Sequence, residues 1–153
     1  MKLAEALVLR ADAQRKVAQL KKRLERVVKV QEGEEPVEQP NFLFEELNRT
    51  IEELTSWVKK INKTNSLTSF DTNMSIADAL AERDKLMQKR NILNDILEAA
   101  TIKQDRFSRS EVKFYRSIEV NEVQKQLDDL SKSYRELDFK IQEKNWTVEV
   151  IEQ

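Results

Sequence analysis

The one glycine and both prolines of this chain, Gly33, Pro36 and Pro40, fall within a single eight-residue stretch. Glycine and proline are the strongest breakers of helices, so the remaining residues are free to run as long helices on either side of one turn. The same feature limits chemistry. No second glycine is present to build a phosphate-cradling loop, and the chain contains neither His nor Cys. Disulfides, thiolate metal sites and the Glu-x-x-His pairs of di-iron bundles are therefore absent from the sequence.

At 153 residues the chain is long enough to bury a core of its own and is expected to form a single domain, 1–153. Charged residues are nearly as frequent as apolar ones, at 36% against 39%, a balance typical of long solvated helices or coiled coils. A net charge of −1 offers no global attraction to nucleic acid or to a membrane surface. No apolar run approaches the roughly 20 residues that span a bilayer. Glu5, Arg10 and Asp12 interrupt what would be the apolar core of a secretory signal, so the reading is a cytoplasmic protein.

Heptad spacing marks four segments, at about 2–32, 41–66, 75–107 and 121–151. The first carries Leu3, Ala6, Arg10, Ala13, Val17, Leu20, Leu24 and Val27 on one seam. The second carries Phe44, Leu47, Ile51, Leu54, Val58, Ile61 and Asn65, with Trp57 beside it. The third seam runs from Ile76 through Arg83, Leu86, Arg90, Leu93 and Leu97 to Phe107, and the fourth from Val123 through Leu130, Leu137 and Ile141 to Ile151. Ser75 with Asp78, and Asn121 with Gln124, resemble helix-starting capping boxes. Phe139, Trp146 and Val150 lie off the fourth seam, and a helix with two apolar faces has two neighbours, which points to a homo-oligomer. Between segments three and four, Val112, Phe114, Arg116 and Ile118 alternate with polar neighbours, the period of a strand over 112–118. Its partner is either Val27–Gln31 or a second copy of itself. The expected fold is all-α: an elongated antiparallel four-helix bundle of coiled-coil hairpins with a short β-strand insert.

Eight basic residues lie between Arg10 and Lys29, and eight acidic ones between Glu32 and Glu53. In an antiparallel hairpin these blocks face and neutralise each other, so the basic block reads as structural rather than as a nucleic-acid surface. It also lacks the interleaved aromatics on which bases stack. Adjacent acids such as Glu45/Glu46 and Glu52/Glu53 point about 100° apart on a helix, so only one of each can face a shared metal. No metal site, catalytic residue or cofactor is assigned. Arg10, Arg83 and Arg90 on seams each need a carboxylate or a path to solvent. Glu5, Asp12, Asp78, Asp84 and Glu111 are the candidate partners, the alternative being an anion pocket.

Seven stretches resemble a bacterial family of uncharacterised proteins labelled septicolysin. They are MKLAEAL from Met1, KVQEG from Lys29, INKTN from Ile61, ADALAERD from Ala77, QDRFSRSEVKF from Gln104, YRELD from Tyr134 and IQEKNW from Ile141. The resemblance covers all four segments and brings no catalytic residue with it, while the label implies a cytolysin. Its polar motifs fall where the seams are interrupted. A site, if built, takes its arginines as anion donors and its asparagines as orienting groups, from Asn62, Asn65, Arg83, Asp84, Arg106, Ser108, Arg109, Ser110 and Lys113. The leading expectation is a non-enzymatic, self-associating scaffold or interaction protein. The alternatives are a binder of a small anion or nucleotide, a nucleic-acid binder through the first segment, and the cytolysin that the label implies.

Overall fold

The computed structural model describes residues 1–101 and 112–152. It contains four helices, α1 (Leu3–Val27), α2 (Pro40–Leu67), α3 (Ile76–Ala99) and α4 (Val120–Thr147). There is no sheet among the described residues, only two isolated bridges. The chain divides into two compact units, the first formed by Met1–Ala77 with Gln142–Gln153 and the second by Asp78–Ile141.

In the first unit α1 and α2 pack antiparallel. Lys16 meets Glu46 at 2.9 Å and Arg23 pairs with Glu38, so the opposed charge blocks do face each other. The α1 stripe is buried as its spacing predicts, at Leu3, Ala6, Ala13, Leu20, Leu24 and Val27. On α2 the buried stripe is turned by one residue from the expected one. Leu43, Thr50, Ile61 and Thr64 are buried, whereas Phe44 and Ile51 stay 48% and 41% exposed. Both stripes share Leu47, Leu54 and Ile61, and side-chain hydrophobicity alone favours Phe44 and Ile51. The threonines are tolerated inside because Thr50 and Thr64 donate their hydroxyls to the carbonyls of Glu46 and Lys60, each at 2.8 Å, so that neither hydroxyl is unpaired. Leu20, Leu24, Val27 and Leu43 form one core cluster with Leu47 against it.

Helix α1 ends at Val27, five residues before the expected limit, as the chain enters the β-branched Val28-x-Val30. Gly33 then takes a positive φ of 85° within a turn closed by Glu34 N–H to Gln31 C=O at 3.0 Å. Pro40 occupies the first turn of α2, where its missing N–H costs nothing. The second turn needs neither glycine nor proline. The Asp71 carboxylate accepts the N–H groups of Asn73 (2.7 Å) and Met74 (2.9 Å), and Ile76 N–H closes back on Thr68 C=O.

Helix α4 stops at Thr147 rather than at 151. Thr147, Val148, Val150 and Ile151 are β-branched, and the chain leaves the helix to run antiparallel to Met1–Leu3. Val150, expected on an exposed second face of α4, is buried instead; Phe139 and Trp146 are exposed at 70% and 63%.

In the second unit α3 and α4 also run antiparallel. Arg83 Nη1 donates to Asp138 Oδ1 and Arg90 Nε to Ser131 Oγ, both at 2.7 Å, so seven residues forward on α3 match seven back on α4. Residues 112–117 carry no regular secondary structure, and the strand predicted for 112–118 is not formed. Neither is there a strand at Val27–Gln31: Val27 closes α1 and the residues after it are irregular. An isolated strand does not hold without an edge to pair with. Helix α4 begins at Val120, which places Asn121 inside the first turn rather than at the cap. The predicted stretch of α3 beyond Thr101, up to Phe107, lies outside the described residues.

Candidate functional site

Polar chemistry in the first unit gathers around the segment that follows α4. Leu3 N–H donates to Val148 C=O at 2.8 Å and Val150 N–H to Met1 C=O at 2.9 Å. Glu149 accepts from the Lys2 ammonium at 2.7 Å and from the terminal amine of Met1 at 2.9 Å. Thr64, fully buried on α2, accepts the Ile151 N–H at 2.9 Å while donating to Lys60 C=O. Lys60 reaches Glu152 at 3.2 Å and sits 4.9 Å over the Trp57 ring. A cavity of about 260 Å³ lies here, lined by Lys59, Lys60, Lys63 and Glu152 among others. Two buried donors of this unit, Arg10 Nε and Trp57 Nε1, have no acceptor among the described residues.

The two cations hold the Glu149 carboxyl down at about 2, from an ordinary value of 4.5, through the Lys2 hydrogen bond first and the amine second. A depressed folded value means that the fold favours the ionised form. Its stabilisation is present above pH 4.5 and is lost as pH falls from there toward 2. Glu149→Gln therefore lowers Tm at pH 7 by a few degrees, on the order expected for an exposed ion pair, and flattens this part of the acid limb. Thermal melts between pH 7 and pH 2 check it; a variant whose melting matches the wild type throughout would overturn it.

The second unit presents the arginine ladder and two hollows. Arg83 and Arg90 bond Asp138 and Ser131, neither of them among the expected partners; Glu111, one of those, lies outside the described residues. Ser131 passes the interaction on by donating to Leu127 C=O at 3.0 Å. One hollow of about 500 Å³ is lined by Ile96, Ala100, Thr101, Phe114, Arg116 and Ser117, with Arg116 Nε donating to Ala100 C=O at 2.9 Å. The other, also about 500 Å³, runs along the hairpin between Lys89, Ile92 and Leu93 of α3 and Asp129 and Leu130 of α4.

Of the residues singled out in the sequence, Asn62 is exposed and Asn65 half-buried on α2, in the first unit. Arg83, half-buried, and Asp84 and Lys113, exposed, belong to the second. Arg106, Ser108, Arg109 and Ser110 lie outside the described residues. Thr64, Asp138, Ser131 and Glu149 were not singled out. Asp138 and Ser131 had a signal: each lies one residue past a seam leucine, seven apart, matching the seven between Arg83 and Arg90. Thr64 looked like one more polar residue at a helix end. Among the described residues no group of Asp and Glu is arranged to hold a metal ion.

A family model matches residues 10–150, nearly the whole of the described fold. The chain belongs to DUF6847, a family of unknown function. It is also similar to a solved structure, a functionally unknown conserved protein from Corynebacterium diphtheriae. The two share 42% identity over 99% of each chain, with a TM-score of 0.91. No curated protein matches. Neither match confirms the septicolysin label or supports a cytolysin or an enzyme.

Proposed function

We propose that this DUF6847 protein is a non-enzymatic scaffold or interaction protein that works by associating with itself. The observation that carries the reading is the poor burial of the second unit. Past Ala79, α3 has no buried residue at all among those described, and Ile92, Ile96 and Phe139 are 50%, 41% and 70% exposed. A helix that is apolar on more than one face needs more than one neighbour. Two such hairpins brought together close a four-helix bundle, the arrangement that the heptad spacing favours. Arg83 Nη1 and Arg90 Nε each donate across the hairpin, to Asp138 and Ser131, which supports a structural role for both over an anion pocket. Sedimentation velocity tests the reading: a dimer or higher species is expected at about 10 μM, and a monomer throughout the micromolar range would overturn it.

A further inference from the structure

Resting on that reading, we infer that the groove along the α3–α4 hairpin is the surface on which a second copy of this chain docks, with Lys89 of each copy set against Asp129 of the other. The groove is about 500 Å³, is floored by Leu93 and Leu130, and has Ile92 half-exposed on its rim. Among the described residues that line it, the charged side chains are Lys89 on the α3 wall and Asp129 on the α4 wall. Both are exposed, and neither has an ion-pair partner among the described residues. One cation opposed by one anion gives no field to attract a nucleic acid or a free phosphate. It does make the surface complementary to itself, which is the requirement of a two-fold contact, where residue i of one copy meets residue j of the other and the reverse.

The register supplies the geometry. Arg83 with Asp138 and Arg90 with Ser131 place residues of α3 and α4 at one level when their numbers sum to 221. Asp129 is therefore level with Ile92, three residues or about 4.5 Å along the axis from Lys89. A two-fold axis running along the hairpin lays α3 of one copy over α4 of the other without shifting levels. Lys89 and the opposing Asp129 then fall within one turn, close enough for an ammonium and a carboxylate to meet. Every adjacent pair of helices in that assembly is antiparallel, as in an up-down-up-down bundle.

Charge exchange tests this. Lys89→Glu makes both groove positions acidic and Asp129→Lys makes both basic. Each like-charged contact is made twice by symmetry, so each variant alone is expected to self-associate on the order of tenfold more weakly, with its helix content by circular dichroism unchanged. An equimolar mixture of the two variants restores both attractive contacts and is expected to pair within about threefold of the wild type. If the wild type associates but both variants do so equally well, the docking surface lies elsewhere and self-association stands. If each variant is weakened but the mixture is not restored, the α3-on-α4 pairing is wrong. A monomeric wild type removes the self-association reading and this assignment with it.

Discussion

Leu43→Ala lowers the free energy of unfolding by about 3 kcal/mol, while Phe44→Ala, the next residue along, costs less than about 1 kcal/mol. The contrast follows from the register of α2 rather than from side-chain size. Leu43 is 4% exposed within the cluster of Leu20, Leu24 and Val27, so truncation loses both its transfer from water and the contacts around the cavity it leaves. Phe44 is the larger side chain, but nearly half of it already faces solvent. Heptad spacing alone gives the opposite ranking, since it places Phe44 on the seam. Urea unfolding of the two variants, read as the shift in midpoint at constant slope, separates the registers. A larger loss for Phe44→Ala would show that α2 buries the other stripe.

Thr64→Val costs about 1–3 kcal/mol, although it keeps volume and adds hydrophobicity. The Thr64 hydroxyl is the acceptor for Ile151 N–H at 2.9 Å, and valine leaves that donor without it. Thr64→Ser keeps the oxygen and is expected to recover most of the loss. Hydrogen exchange supplies a readout that a packing defect does not mimic: the Ile151 amide exchanges faster in the valine variant and near the wild-type rate in the serine variant. Equal protection of that amide in all three proteins would mean that the hydroxyl does not hold the segment.

Much of the helical plan was legible because it rests on local rules. The stretch from Gly33 to Pro40, the long apolar periodicities and the stop after Asn65 each act through neighbouring residues, and the helices fall close to where those signals lie. What was not legible depends on partners distant in sequence. The α2 stripe is chosen by α1, which accepts Leu43 and two internally bonded threonines in preference to Phe44 and Ile51. Residues 112–118 have the alternation of a strand, but alternation does not create an edge to pair with. Conversely, Thr147–Ile151 read as one more heptad turn, and only the presence of Met1–Leu3 alongside draws it out of the helix. The ladder of Arg83 and Arg90 was visible as an oddity, and its equal spacing with Asp138 and Ser131 was the clue to its partners. Of the candidate-site residues that are described, Arg83 alone makes a bond between helices of its own unit.

The bridge between Lys2 and Glu149 sets an order of events for a chain made from its amino end. The α1–α2 hairpin has all its residues once the first seventy have emerged. Its outer end, where Leu3 and Thr64 wait for the carbonyl of Val148 and the amide of Ile151, stays open until residues 148–151 are synthesised. The energetic cost of closing so long a loop rises only with the logarithm of its length, so the delay is one of timing rather than of stability. The second unit, Asp78–Ile141, gains its last residue just before that closing segment is made, so its groove is available to a neighbouring chain before the first unit has shut.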